Sequence, residues 1–358
     1  MSRVALIMAG GTGGHIFPGL ALAQALQAAG WRVHWLGGRG TPGKPSMEST
    51  IVPQQGFAFE AIDFGGVRGK GPATLALLPL RLLQAFAQSL GVLRRVRPDV
   101  VLGLGGYISF PAGLMAVALG RPLVLHEQNS VPGMANKLLA PLAERVFTAF
   151  PKAMAKGQWV GNPLRAAFVQ QSDPVTRFAG RGGPLRLLVV GGSLGARVLN
   201  ETVPQALARI PAAQRPTVLH QSGAAHLDAL RAAYAQAGVQ AEITAFIDDT
   251  ASAFAQADVV LCRAGASTVT ELAAVGAAAI FVPFAAAVDD HQTTNARFLV
   301  DAGAAWLLPQ AQLTPESLAQ LLQNLERPAL IQKALAAKNM QKIEAVSAVL
   351  AACEELAP

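Results

Sequence analysis

The stretch Asp258–Gln292, DVVLCRAGASTVTELAAVGAAAIFVPFAAAVDDHQ, constrains this chain more than any other. A short apolar run breaks at Arg263-Ala264-Gly265, apolar residues then recur at helical spacing from Thr268 to Val275, and a second apolar run follows at Ala279–Val282. That order reads as strand, loop, helix, strand. In a parallel sheet such a loop lies at the carboxyl end of a strand, where the unpaired N–H groups of the next helix favour anions and nucleotides. Thr268 and Glu271 stand three apart, the spacing of a capping box in which Glu271 reaches back to a backbone N–H. The same carboxylate, one turn into the helix, is also suited to a ribose diol while the helix N-terminus holds a diphosphate and Arg263 adds positive charge.

The strand-to-glycine-loop device recurs three more times. Val4–Ala9 leads into GGTGGHIFPG and a helix closed by Gly30; Asp99–Pro111 reads DVVLGLGGYISFP; Leu185–Arg197 reads LRLLVVGGSLGAR. Glycines after strands serve wherever backbone approaches a phosphate, and equally wherever a strand turns tightly into a helix. The first loop is not a dinucleotide fingerprint. Ile16 stands where the last glycine belongs, and the strand Arg32–Leu36 ends in Gly37-Gly38-Arg39 with no acid for a ribose.

At 358 residues the chain has length for two domains. Pro151–Pro184 changes character and reads as a linker, giving domains 1–162 and 163–339, with a long closing helix over Ile331–Leu356. The chain is 52% hydrophobic and 14% charged, but no apolar run reaches the length of a membrane span. The N-terminal run is too short for a signal h-region. Cys262 and Cys353 lie too far apart in sequence to suggest a metal or disulfide framework, so a cytoplasmic site is expected.

The net charge of +7 points to an anionic partner, and aromatics at 6%, with no aromatic-interleaved basic stripe, disfavour nucleic acid. Phe64–Pro98 holds Arg68, Lys70, Arg81, Arg94, Arg95 and Arg97 with no acid, around the apolar run ATLALLPLRLLQAFAQSLGVL. It reads either as a helix resting on an anionic bilayer or as a sheet-covering helix with a solvated basic end.

RAGASTVTEL, VPF and DDHQTTNA, together with GGTGGHIFPGLA, MEST, VRGKG, GLGGYISFP, HEQNSVPGMANK, VGNPLR, GGSLGA and FIDD, resemble the MurG-type glycosyltransferases of bacterial peptidoglycan synthesis over nearly the whole chain. The resemblance implies an α/β GT-B fold: two doubly wound Rossmann-like domains facing an interdomain cleft, acceptor mainly on the first and sugar nucleotide on the second. The C-terminal helix, about 340–358, is expected to cross back onto the first domain. The implied reaction moves N-acetylglucosamine from UDP-GlcNAc to undecaprenyl-diphospho-N-acetylmuramoyl-pentapeptide with inversion to a β-1,4 product. It would occur peripherally at the cytoplasmic face of the inner membrane, beside an anionic surface, with no cofactor. Carried over by position, the donor contacts are Thr12, Gly13, Gly14, Asn129, Arg165, Ser193, Ile247, Arg263, Ala266, Ser267, Thr268, Val269, Thr270, Glu271 and Gln292. Tyr107 and Asn136 are acceptor-side candidates.

Direct displacement asks for a base on the acceptor hydroxyl and stabilisation of the departing diphosphate. No Asp-x-Asp pair occurs to hold a metal there, so no metal is expected and helix N-termini with Arg263 and Arg165 take its place. His15, at the mouth of the first glycine loop, is the leading base, with a helix-cap or diphosphate contact as its other reading. Glu127 is the second catalytic candidate, to orient or replace His15, and His126 is a further rival. The chain departs from the family pattern at Ala285-Ala286-Ala287, where a His is common, and at Gly276-Ala277-Ala278, where a Pro is usual. Two other readings stand beside this one: a UDP-N-acetylglucosamine epimerase of the same two-domain plan, and a non-enzymatic nucleotide-sugar sensor.

Overall fold

The computed structural model describes residues 2–41, 43–65, 76–192, 194–287 and 290–357. The backbone separates into two compact units, Met1–Leu164 with Ile343–Pro358, and Arg165–Lys342. Each is a Rossmann-like α/β unit built on a parallel sheet.

The first unit contains β1 (Val4–Met8), β2 (Arg32–Gly38), a two-residue hairpin of β3 (Gly40–Thr41) and β4 (Lys44–Pro45), β5 (Ala58–Ile62), β6 (Val100–Gly103), β7 (Leu123–Glu127), β8 (Arg145–Thr148) and β9 (Gln158–Trp159). Among the described residues its sheet runs β5-β2-β1-β6-β7-β8-β9, all pairs parallel. The period-2 alternation of β1 divides the core. Ala5, Ile7 and Ala9 face one cluster, and Val4, Leu6 and Met8 face the other.

The first cluster is completed by Ala345, Val349, Ala352 and Cys353 of the helix Ala345–Leu356, which thereby belongs to the first unit. Burying a Val- or Leu-sized side chain contributes about 1.5–3 kcal/mol, so this return is held by its apolar face. The single closing helix expected over Ile331–Leu356 is instead two, Arg327–Asn339 and Ala345–Leu356, because the chain leaves one unit for the other in the residues that separate them.

The second unit contains β10 (Arg186–Val190), β11 (Thr217–Gln221), β12 (Glu242–Thr244), β13 (Val259–Cys262), β14 (Ala279–Phe281) and β15 (Ala305–Leu307). They are ordered β12-β11-β10-β13-β14-β15 and are again parallel. The region read as a linker carries two short helices, Ala166–Val169 and Pro174–Phe178, and the division falls at its start, after Leu164.

The repeated tetrapeptide DVVL does the same work in both units. Asp99 accepts a hydrogen bond from the N–H of Val4 at the start of β1, and the buried Asp258 accepts one from Arg186 at the start of β10. Asp258 is further bound by Arg181 at 2.7 Å and Arg327 at 3.1 Å, which compensates its removal from water.

The strand orders also explain the four glycine loops. β1 pairs with β2 on one side and β6 on the other, and β10 pairs likewise with β11 and β13. Each of these is a topological switch point, where helices diverge to opposite faces and leave a crevice at the carboxyl ends. The loops after β1 and β6 flank one switch point, and those after β10 and β13 flank the other.

Candidate functional site

In the first unit the helix Gly13–Ala28 starts directly after β1, with Thr12 as an exposed N-cap whose side chain makes no capping bond. Gly13 and Gly14 therefore offer first-turn N–H groups at the crevice. His15, the third helical residue, is partly buried, and its Nδ1 lies 2.8 Å from Oε1 of Gln128. The amide nitrogen of Gln128 donates to the carbonyl of His126 at 2.9 Å and lies 3.0 Å from Nδ1 of His126. His126 completes the chain with Nε2 at 2.8 Å from the carbonyl oxygen of Gly161. Burial lowers the pKa of His126 to about 4, so this imidazole is neutral at ordinary pH.

Glu127 is buried and fully engaged. Its carboxylate accepts from the N–H of Asn129 at 2.9 Å, the N–H of Gly133 at 3.0 Å and the side-chain amide of Asn136 at 2.8 Å. Three donors on one carboxylate make Glu127, read from the sequence as orienting or replacing His15, the anchor of the loop after β7. Asn136 spends its amide nitrogen on that anchor and leaves a buried Oδ1 with no partner, an acceptor available to a ligand.

Sequence reasoning passed over two residues here. Gln128 sits inside the HEQN run with no signal of its own in the sequence. Glu48, in MEST, is fully buried and ties two loops together by accepting from the N–H of Gly11 at 3.2 Å and of Gly38 at 3.1 Å. Beside it, Tyr107 has its hydroxyl pKa raised by burial and by the Glu48 charge, so it acts as a neutral phenol.

In the second unit the helix Ala266–Val275 starts two residues before the point expected, with Gly265 in extended conformation as N-cap. The capping box is thereby excluded. Thr268 makes no capping bond, and Glu271 is the sixth helical residue, beyond reach of the terminal N–H groups. Among the described residues Glu271 has no hydrogen-bond donor or ion-pair partner. Burial pushes its pKa up to about 7, against a downward pull from Arg165. The hydroxyl of Ser267, in the first turn, is also buried and unpartnered. Val269 and Thr270 face inward, Thr270 returning its hydroxyl to the carbonyls of Ala266 and Ser267.

Around this helix start the partners are partly committed. Arg263 donates to the carbonyls of Val282 and Pro283 and lies over the ring of Phe284 at 5.3 Å. Gln292 accepts through Oε1 from the N–H groups of Ala264 and Phe284, which leaves its amide nitrogen, and not both ends, for sugar hydroxyls. Ile247 follows β12 and its carbonyl accepts from Thr250. Arg165 is exposed and electrostatically coupled to both Glu271 and Asp249. Ser193 lies outside the described residues. Thr12, Gly13, Gly14, His15, Tyr107, Glu127, Asn129 and Asn136 thus fall in the first unit, and the other described candidates in the second.

Within the segment Phe64–Pro98 the described residues are Phe64, Gly65 and Ala76 onward, so Arg68 and Lys70 lie outside them. Its helix, Leu78–Val96, buries Ala85, Ser89, Val92, Leu93 and Val96 against the sheet. Leu77 at its N-cap, and Leu80, Arg81, Leu83 and Arg94 within it, are exposed. Arg95 is not a free cation, since it pairs with Glu60 of β5. No described helix is long and apolar enough to cross a membrane.

Residues 5–148 match the glycosyltransferase family 28 N-terminal domain and residues 186–350 the family 28 C-terminal domain. The chain is 70% identical over 356 residues, covering 99% of it and 92% of the relative, to the UDP-N-acetylglucosamine–N-acetylmuramyl-(pentapeptide) pyrophosphoryl-undecaprenol N-acetylglucosamine transferase of Polaromonas sp. strain JS666. The enzyme of the same name from Paracidovorax citrulli is 72% identical over 354 residues, 99% of this chain and 98% of its own. Among solved structures, Acinetobacter baumannii MurG superposes with a TM-score of 0.85 at 38% identity, covering 99% of each chain.

Proposed function

The chain belongs to glycosyltransferase family 28, and from that premise we infer that it transfers N-acetylglucosamine from UDP-N-acetylglucosamine to the N-acetylmuramyl-pentapeptide pyrophosphoryl-undecaprenol for which its relatives are named. The product is the lipid-linked disaccharide of peptidoglycan synthesis. The second unit takes the donor. The N–H groups of Ala266, Ser267 and Thr268, with the Ser267 hydroxyl, receive the diphosphate; the Gln292 amide nitrogen meets the sugar; Glu271 accepts from the ribose hydroxyls.

The first unit takes the acceptor and supplies the base. The acceptor hydroxyl attacks the anomeric carbon from the face opposite the diphosphate, its proton passes to Nε2 of His15, and the bond from the anomeric carbon to the diphosphate oxygen breaks as UDP leaves. An α-linked donor therefore yields a β-linked product. The growing negative charge on the diphosphate is met by the helix terminus, whose dipoles are already oriented. Loop anchoring by Glu127 and the free Oδ1 of Asn136 serve acceptor placement, next to the neutral phenol of Tyr107. The exposed leucine and arginine rim of Leu78–Val96 holds the protein peripherally on an anionic membrane surface, where a lipid-linked acceptor resides.

The observation that carries the donor assignment is Glu271: a partly buried carboxyl whose pKa burial raises to about 7 and which has no hydrogen-bond or ion-pair partner among the described residues. Such a group is costly to the empty protein and is repaid by ligand hydrogen bonds. Purified protein incubated with labelled donor should transfer sugar only when a short-chain lipid acceptor is present. Epimer formation without acceptor, or tight donor binding with no turnover, would overturn this reading.

A further inference from the structure

We propose that Gln128, anchored by His126, is a positioning residue that locks His15 in the tautomer with its proton on Nδ1 and its lone pair on Nε2. Each step follows from the chemistry of the partner. The Gly161 carbonyl only accepts, so His126 Nε2 at 2.8 Å must carry a proton. A neutral imidazole bears one proton, so His126 Nδ1 is an acceptor. The nitrogen of Gln128 therefore donates to it at 3.0 Å, and the same nitrogen donates to the His126 carbonyl at 2.9 Å. Two acceptors on one end of the amide leave no ambiguity about which end is nitrogen. The other end, Oε1, can only accept, and it lies 2.8 Å from His15 Nδ1, which must then be the N–H.

The consequence reaches the reacting proton. An imidazole free in water places its proton mainly on Nε2, which would present a donor to the acceptor hydroxyl instead of a base. The chain from Gly161 to His15 reverses that preference with groups that are themselves buried. Gln128 and His126 are 0% and 2% exposed. The remaining ionisable groups of this cluster are Glu127, held by Asn129, Gly133 and Asn136, Glu48, held by Gly11 and Gly38, and the Tyr107 phenol. None of the three hydrogen-bonds the His15 ring. The kinetic part of this inference rests on His15 being the base, whereas the tautomer lock does not.

The test separates the two. Nitrogen-15 NMR of histidine-labelled wild-type protein at pH 9 should show a protonated Nδ1 and an unprotonated Nε2 for His15; the reverse assignment overturns the lock. Gln128→Leu removes the acceptor and should return His15 to a mixture dominated by protonated Nε2, with kcat reduced about ten-fold or more and the KM for donor little changed. Gln128→Glu keeps an acceptor at Oε1, and its second oxygen, facing the two acceptors of His126, fits there only as a protonated acid that donates as the amide nitrogen did, so it should preserve the tautomer and rescue kcat toward the wild-type value. An unmoved tautomer in Gln128→Leu, or a Gln128→Glu variant as impaired as Gln128→Leu, would mean that Gln128 is only packing. A tautomer that changes while kcat does not would keep the lock and remove His15 as the base.

Discussion

Gly105 approaches His15 so closely that a Cβ built on it would stand 3.1 Å from Cε1 and 3.3 Å from Nδ1 of the ring, with a backbone φ of +95°. The absence of a side chain after β6 thus defines one wall of the imidazole's seat. Gly105→Ala should cost about 1–2 kcal/mol of stability through its left-handed conformation. The larger effect is on catalysis. Displacing the ring by a few tenths of an ångström lengthens its bond to Gln128, and kcat should fall about 10- to 100-fold. Thermal denaturation and steady-state kinetics on the same preparation check both; a loss of stability with kcat intact would mean that the ring's placement tolerates the shift.

Donor binding through Glu271, as proposed, should depend on pH. Its folded pKa, about 7, lies above the ordinary carboxyl value of 4.5, so between these two values the folded protein holds more proton than the unfolded one. The contribution of this group to stability therefore falls as pH rises from about 4.5 to 7 and is level beyond. Donor hydroxyls favour the carboxylate, so binding at pH 6 should release a proton, and affinity should rise from pH 6 to 8. Calorimetry in buffers of different ionisation enthalpy measures the proton released.

In Glu271→Gln that proton and the pH dependence should vanish, and donor affinity should fall by about 1.5–3 kcal/mol. Because the residue caps nothing, the melting temperature at pH 8 should hold or rise. A drop in melting temperature with affinity unchanged would assign Glu271 to the fold instead.

Membrane attachment should follow the exposed rim of Leu78–Val96. Arg81→Glu with Arg94→Glu reverses two cations that have no ion-pair partner among the described residues, each worth about 1 kcal/mol near an anionic surface. Sedimentation with anionic vesicles should weaken, more so at low salt, while transfer to a water-soluble acceptor analogue stays near normal. Leu80→Ser with Leu83→Ser should act in the same direction without the salt dependence. Arg95 is left out because its partner Glu60 gives it a structural role.

Catalysis should survive metal removal. Among the described residues no group of three His, Cys, Asp or Glu side chains is placed to hold an ion. In the proposed donor site the diphosphate meets helix-terminal N–H groups and the Ser267 hydroxyl, with no ion required. Protein treated with a strong chelator should retain most of its turnover; complete loss restored by magnesium would contradict the helix-terminus account.

The parallel α/β organisation was legible from the chain alone because its signals are local. An apolar run of strand length, a glycine turn and a helical period each lie within a dozen residues, and their repetition at Val4, Asp99, Leu185 and Asp258 marked four strand ends. What local patterns could not carry was the exact start of a helix and the break of a long one. Gly265 caps Ala266–Val275 through backbone conformation alone, and nothing in Met340–Glu344 resembles a breaker; the closing helix ends there because the chain changes unit.

The site divides in the same way. Residue types and motifs selected His15, Glu127, Asn136, Glu271 and Gln292, since these groups suit proton transfer or polar recognition whatever surrounds them. Which of them is free was decided only by tertiary structure. Glu127 is committed to three donors, Gln292 has committed its oxygen, and Glu271 has no hydrogen bond among the described residues. Glu48 and Gln128 gained their importance from partners 37 and 113 residues away, Gly11 and His15. A hydrogen bond needs atoms within about 3 Å, and only the assembled sheet, by setting the ends of β1 and β7 in one layer, brings residues so distant in sequence within that reach.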